Sequence, residues 1–197
     1  MCSSDLIHIM TLLQQHTVET APEGSQAILK GAQSQLGFVP NLYATFAESP
    51  ALLSAYTTIG GLLDKSGLSA TEQQVVLMTN NRLNGCTYCQ AAHTTISQGQ
   101  GIDADVIRAL RNGSALSGPK LEALRRFAVI INETRGHPTD ADLKAFTDAG
   151  YTAQTVLEVI LGTALKVLSN YTNHIADTPL DAAFAANAWT PAPAVAA

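Results

Sequence analysis

The sequence predicts an all-α fold, a single domain of about eight helices. Apolar residues recur three and four positions apart along several long segments, the spacing that places them on one face of a helix. No run alternates apolar and polar residues with the β-branched and aromatic enrichment typical of strands. A chain of 197 residues is long enough to bury most of its apolar surface in one ordinary domain.

Three helices of the middle region have readable boundaries. Ser49 and Pro50 form a good helix start, and apolar residues follow at helical spacing at positions 52, 53, 56, 59 and 63. A second apolar pattern runs through positions 121, 124, 127, 128 and 131 and ends before Gly136. Thr139 with Asp142 then resembles the N-cap of a short helix that Gly150 closes.

The last long helix is expected from Thr152 to about Ile175. It is apolar on most sides, which predicts burial in the core or between subunits. Glu158 and Lys166 are expected to mark its narrow polar side. Upstream, Asn80 and Asn81 could line the cysteine site, although amides on a helix surface are usually solvated.

The amino-acid composition indicates which kinds of partner the protein is expected to have. Charged residues make up 14% of the chain and apolar residues 46%, and the mean hydropathy is slightly positive. A chain this apolar predicts that some helix surface is buried between subunits, in a homo-oligomer. The net charge of −5 is spread along the chain without a basic stripe, which argues against nucleic acid as a partner.

The predicted organisation is an N-terminal arm (1–20), a helical domain (21–189) and a loose C-terminal tail (190–197). No stretch of about eighteen uncharged apolar residues is present, so no membrane span is expected. The N-terminus lacks a basic region followed by an apolar run, so we expect no secretory signal and a cytoplasmic protein. Residues 1–6 resemble a translated sequencing adapter, and Cys2 is therefore given no functional role.

The chemistry is concentrated in Cys86, Cys89 and His93. Asn84-Gly85 breaks the preceding helix, and a new helix is predicted to begin at or near Cys86. The spacing i, i+3, i+7 places the three side chains on one face within two turns. Free backbone N–H groups and the positive end of the helix dipole favour thiolate there, and His93 can exchange a proton with either sulfur.

A Cys-x-x-Cys can be redox-active or can bind a metal. A structural zinc site needs four ligands, and this motif supplies three without a matching partner motif elsewhere. Covalent haem attachment requires His directly after the second cysteine, where Gln90 stands. The strands of a thioredoxin fold are missing. Redox chemistry without a metal or other cofactor is therefore favoured.

At these residues the sequence resembles the alkylhydroperoxidase D-like, or carboxymuconolactone decarboxylase, family. The family pattern is a Glu, eleven residues, Cys-x-x-Cys, three residues and His, and the stretch 86–93 fits its second half. The stretch 68–77 looks like the family's lead-in helix. Residues 37–42, followed by Ser49-Pro50, resemble the N-terminal half of its peroxidase-related branch. The likeness covers roughly residues 25 to 190.

This resemblance implies an all-α alkylhydroperoxidase D-like fold that assembles as trimers or hexamers. It also implies a thiol-dependent peroxidase or disulfide oxidoreductase. Cys89 would be the peroxidatic sulfur that a hydroperoxide substrate oxidises to a sulfenic acid, and Cys86 would resolve it as a disulfide. His93 would belong to the proton relay. An unidentified thiol or dithiol would reset the disulfide.

One position departs from the family pattern. Twelve residues before Cys86 stands Gln74, where the family has Glu. Gln cannot accept and return a proton near neutral pH, and Glu72 lies about 200° away around the helix. The sequence therefore predicts slow peroxidase turnover. If turnover is fast, the proton must come from elsewhere, and His93 is the first candidate.

Two other functions stay open at this point. One is a carboxymuconolactone decarboxylase-like lyase on the same scaffold, although that chemistry does not need the cysteine pair. The other is a non-catalytic redox-sensing or metal-binding module, to which the Gln74 departure gives some support.

Overall fold

The computed structural model describes residues 12–191, and in that range the chain contains α-helices, one 3-10 helix and no β-strand. This confirms the all-α prediction. Cys2, most of the predicted N-terminal arm and the end of the predicted tail lie outside the described residues. The α-helices, in chain order, are α1 (Glu23–Leu36), α2 (Asn41–Phe46), α3 (Pro50–Leu63), α4 (Ala70–Leu83), α5 (Thr87–Gly99), α6 (Ala104–Asn112), α7 (Pro119–Thr134), α8 (Asp140–Asp148) and α9 (Ala153–Ala176), and the 3-10 helix spans Ala182–Asn187.

The described range thus holds nine α-helices, one more than expected. Helix α2 has only six residues, too few for a periodic pattern to reveal it. The predicted starts of α3, α8 and α9 are confirmed, because Ser49, Thr139 and Thr152 each accept a hydrogen bond from a backbone N–H of the first turn. Arg135 adopts left-handed backbone angles and ends α7 just before Gly136.

Helix α4 is the central element. It packs against α5, α6, α7 and α9, and the residues from Gln73 to Asn81 are all buried. On one side its apolar side chains join the main core, which includes stacked Phe127 and Phe146. A second apolar cluster, formed with α1 to α3, contains the two cysteines and Tyr88.

Helix α9 corrects one prediction. Its length and helical pattern are as expected, but the narrow polar side that Glu158 and Lys166 were expected to mark is buried. Glu158 is 9% exposed and Lys166 is fully buried, while Leu157 is 67% exposed. The helix therefore turns polar groups inward and apolar groups outward. The polar groups are buried because they bond to neighbouring helices: Glu158 accepts from the Gly67 backbone N–H, and Lys166 contacts α5.

Close contact between α4 and α9 depends on a glycine. A Cβ atom at Gly162 would lie 2.8 Å from Cγ1 of Val76, closer than two carbon atoms pack. The absence of a side chain lets α9 approach the central helix and brings its polar face to α5. Among the described residues, no single helix is long and apolar enough to cross a membrane; α8 and α9 meet that criterion only as a pair bent by 109°.

Candidate active site

The cysteine helix begins as the sequence predicts. Helix α4 ends at Leu83, and Gly85 takes the left-handed backbone conformation (φ 68°) that reverses the chain. The Cys86 N–H then donates to the Asn81 carbonyl at 2.9 Å. Cys86 is the N-cap of α5, and Cys89 lies in its first turn. Both sulfurs therefore lie near the positive end of the helix dipole.

Both cysteines are free thiols in the apolar cluster, and each is no more than 2% exposed. The side-chain amide of Asn173, on α9, reaches both of them. Its Nδ2 lies 3.2 Å from the Cys89 Sγ and 3.7 Å from the Cys86 Sγ. An amide N–H stabilises a thiolate better than a thiol, so Asn173 is a positioning group for a charged sulfur.

The two thiols differ in acidity. Cys86 donates its S–H to Cys89, and this hydrogen bond, with burial and the negative charge of Cys89, raises the pKa of Cys86. Burial alone would raise the pKa of Cys89 as well. The hydrogen bond from Cys86, the positive charge of Lys166, and hydrogen bonds from Ser169 and Asn170 lower the pKa of Cys89 to about 6. Near neutral pH, the site therefore holds a Cys89 thiolate beside a Cys86 thiol.

His93 lies one turn beyond Cys89, between two polar partners. Its Nδ1 is 2.8 Å from the Oε1 of Gln74, and its Nε2 is 2.9 Å from the Nζ of Lys166. An ammonium group can only donate, so Nε2 accepts and Nδ1 carries the proton that is donated to Gln74. Burial and the charge of Lys166 lower the pKa of His93 well below its usual range. The imidazole is therefore neutral.

The structure brings together all four residues singled out from the sequence. Gln74 is 4% exposed and takes the position expected of the family's Glu, facing the cysteine helix from the preceding one. Glu72 does not substitute for it. Its carboxylate completes the capping box with Ser69 at the start of α4 and also accepts from the Tyr151 hydroxyl.

Lys166 and Asn173 contribute to the site without having been predicted from the sequence, and the two asparagines before the motif, for which solvation was the favoured interpretation, are buried. Asn80 and Asn81 are fully buried, not solvated. Asn81 donates to the Cys89 carbonyl and accepts from Asn170, which ties α4, α5 and α9 together at the cysteines. The available signal was a set of polar residues on one face of the apolar α9, at positions 166, 169, 170 and 173.

A cavity of about 210 Å³ leads to Cys89, His93 and Lys166. Its remaining walls are almost entirely apolar and aromatic, formed by Leu36, Phe38, Pro40, Leu42, Tyr43, Tyr56, Tyr88, Ala92, Ile96 and Phe184. Cys86 is not among the lining residues. A molecule that enters the cavity therefore meets Cys89 before Cys86.

Tyr88, between the cysteines, fastens the C-terminal segment over this cavity. Its hydroxyl donates to the Asp181 carboxylate in a short hydrogen bond and accepts from the Leu42 N–H. Asp181 also accepts from the Asn41 N–H at 3.1 Å. Phe184, two residues into the 3-10 helix, then packs edge-on against the Tyr88 ring. Between residues 12 and 191, no group of three His, Cys, Asp or Glu side chains is arranged to hold a metal ion.

Comparison with known proteins agrees with this architecture. Residues 50–130 match the carboxymuconolactone decarboxylase family model. No curated protein sequence matches the chain significantly. The fold is shared with an alkylhydroperoxidase AhpD core, an uncharacterised peroxidase-related protein from Ralstonia eutropha JMP134. The TM-score is 0.77 at 22% identity, over 86% of this chain and 91% of that one.

Two further structures are similar over nearly their whole length. A peroxidase-related protein from Silicibacter sp. TM1040 gives a TM-score of 0.75 at 19% identity, over 89% of this chain and 93% of that one. The debrominase Bmp8, in complex with 2,3,4-tribromopyrrole, also gives 0.75 at 19% identity, over 90% and 95% of the two chains. Residues 50–130 are thus similar to the carboxymuconolactone decarboxylase family, and the chain shares the fold of the alkylhydroperoxidase AhpD core.

Proposed function

We propose that the protein is a thiol-dependent peroxidase that reduces compact apolar hydroperoxides with Cys89 and Cys86. The observation that carries this proposal is the asymmetry of the two thiols. Cys89 is the more acidic and lines the cavity, whereas Cys86 lies behind it and donates to it. A lyase would need neither the cysteine pair nor the difference in acidity between its two thiols.

The reaction proceeds in two balanced steps. The Cys89 thiolate attacks the terminal oxygen of the hydroperoxide, the O–O bond breaks, and the departing alkoxide takes a proton to leave as an alcohol. Cys89 is then a sulfenic acid. The Cys86 sulfur displaces its hydroxyl, which leaves as water, and a disulfide forms. An external dithiol reduces that disulfide and restores both thiols.

The cavity indicates the substrate class. A volume of about 210 Å³ admits a small aromatic or branched alkyl group, and the walls offer few hydrogen-bond partners away from Cys89, His93 and Lys166. Cumene hydroperoxide should therefore be a better substrate than hydrogen peroxide, which leaves the apolar walls unused.

The test is consumption of cumene hydroperoxide with dithiothreitol as the reductant. Wild type should turn over, Cys89→Ser should not, and Cys86→Ser should stop after one equivalent unless the reductant resolves the sulfenic acid directly. Equal activity in wild type and Cys89→Ser would rule the proposal out.

A second candidate is reductive dehalogenation of an aromatic ring. The aromatic walls of the cavity favour it, and one similar structure is a debrominase. Cys89 would attack the halogen, the ring carbon would take a proton, and Cys86 would displace halide as the disulfide forms. Bromide release from a brominated pyrrole, dependent on Cys89 and dithiothreitol and faster than peroxide consumption, would favour this candidate over the first.

A further inference from the structure

Lys166 is an unusual residue at the end of the cavity. Its side chain is fully buried, and among residues 12–191 no carboxylate lies within 4.0 Å of its Nζ. Its hydrogen bond goes to the neutral His93 ring. A buried ammonium without an anion is costly, and such groups are typically kept where their charge or proton is used.

The negative partner that the structure offers is Cys89. Both residues line the same cavity, and the charge of Lys166 favours the Cys89 thiolate. The ammonium has three N–H donors and His93 takes one, so the remaining donors are available to the sulfur and to a molecule in the cavity.

The chain departs from the family pattern on one side of His93 and places a charged partner on the other. The carboxylate expected at Nδ1 is replaced by the neutral Gln74, and a cation lies at Nε2. We propose that Lys166 takes over the task of that missing carboxylate: it is the counter-ion of the Cys89 thiolate and the acid that protonates the departing alkoxide. This assignment rests on the proposed peroxidase function for its second half, whereas the thiolate pairing is independent of it.

The proton path follows from the contacts. When the O–O bond breaks, the alkoxide oxygen takes a proton from Nζ, and the alcohol leaves the cavity. Lys166 is then neutral and regains a proton from solvent through the cavity that it lines, while the His93 ring, fixed by Gln74, holds Nζ in place. The other charged or titratable groups around the cavity at Cys89 are Cys86 and Tyr88 on α5, Tyr43 on α2, Tyr56 on α3 and Asp181 beyond Tyr88.

Two substitutions separate the roles of charge and acid. Lys166→Met keeps the length of the side chain but removes both the positive charge and the acidic proton. The midpoint of the pH dependence of Cys89 alkylation by iodoacetamide should therefore shift upward by at least about one pH unit. Peroxide turnover at neutral pH should fall by at least about 100-fold. Lys166→Arg keeps a cation but is a poor acid, so the alkylation midpoint should stay within about half a unit while turnover falls as in Lys166→Met.

A double variant tests the replacement directly. Gln74→Glu in the Lys166→Met background restores the family arrangement, with a carboxylate that raises the basicity of His93. The double variant should turn over at least about tenfold faster than Lys166→Met alone. This gain should exceed the gain that Gln74→Glu gives in the wild type.

The measurements distinguish the two proposals. An alkylation midpoint unchanged in Lys166→Met, with turnover also unchanged, overturns the assignment of Lys166 while leaving the peroxidase function intact. No peroxide turnover in the wild type overturns the peroxidase function, and the thiolate pairing is then still judged by alkylation. Circular dichroism and thermal melting of each variant serve as the folding control, and Lys166→Arg replaces Lys166→Met if the latter does not fold.

Discussion

At the residue scale, the reactivity of the site depends on which sulfur is charged. Cys89 accepts hydrogen bonds from the Cys86 thiol, from the Ser169 hydroxyl and from two amides, and it has one nearby ammonium. Cys86 has the same amide at a longer distance and a negative neighbour. The two residues have the same chemistry in isolation, and their surroundings make one the nucleophile and the other its resolving partner.

The pH dependence of alkylation follows from this difference. Because the pKa of Cys89 is lowered to about 6, its thiolate should be mostly formed at pH 7 and lost as the pH falls through about 6. The alkylation rate of wild-type protein should therefore rise between pH 5 and 7 and then level off, well below the titration of an ordinary thiol at about 8.5. Iodoacetamide kinetics in Cys86→Ser and Cys89→Ser show which sulfur reacts. A single rise near 8.5 in the wild type would contradict the charge assignment.

The sequence was informative about Gln74 but not about Lys166. The position of Gln74 follows from a fixed spacing along two consecutive helices, so counting residues was sufficient. Lys166 is 73 positions from its partner His93. A lone lysine on an apolar helix is usually on the solvent side, and only the packing of α9 against α4 and α5 reveals the opposite.

At the element scale, the site is held by contacts between α4, α5 and α9. The turn at Gly85 and the asparagines of α4 fix the start of α5, and Gly162 fixes the distance of α9. Helix boundaries could be predicted because caps and glycines are local signals. The face of α9 that points inward could not be predicted. A helical pattern shows that the helix has a polar face and an apolar face, but it does not show which of them packs against the rest of the chain.

Gly162→Ala should destabilise the fold, because the new methyl group would meet Val76 at 2.8 Å. Overpacking of this kind costs about 1–3 kcal/mol, against a gain in helix propensity of just under 1 kcal/mol, so we expect a net loss of about 1 kcal/mol. Gly61→Ala in α3 is the matched control. Nothing lies within 4 Å of its new Cβ, and it should stabilise the protein. Urea denaturation measures both; a stabilised Gly162→Ala would show that α9 can move away freely.

At the scale of the whole molecule, the outward face of α9 remains apolar. Leu157, Tyr171 and Ile175 are each more than half exposed, and Ile160 is 44% exposed. They lie on one side of the helix, beside a cavity of about 540 Å³ between α7 and α9. An apolar stripe of this extent is typical of a surface that a partner covers. This agrees with the homo-oligomer expected from composition.

We therefore expect the protein to form a homo-oligomer at micromolar concentration, and the family resemblance implies a trimer or a multiple of three. Ile160→Lys combined with Ile175→Lys should reduce its mass toward that of one chain, because two charges would have to be buried in the interface. Leu62→Lys, which alters an exposed apolar residue on α3, should leave the mass unchanged. Light scattering coupled to size exclusion measures all three, and a monomeric wild type would refute the expectation.

The most direct measurement of the cysteine chemistry is mass spectrometry of the peptide that spans the pair, after one equivalent of cumene hydroperoxide. In the wild type we expect a loss of about two daltons, the mark of a Cys86–Cys89 disulfide, reversed by dithiothreitol. In Cys86→Ser we expect a gain of about sixteen daltons on Cys89, the mark of a sulfenic acid, and in a parallel sample with dimedone the same sulfur should carry the dimedone adduct. Cys89→Ser should remain unmodified. Oxidation of Cys86 in Cys89→Ser, with Cys89 unmodified in Cys86→Ser, would contradict the assignment of Cys89 as the attacking sulfur.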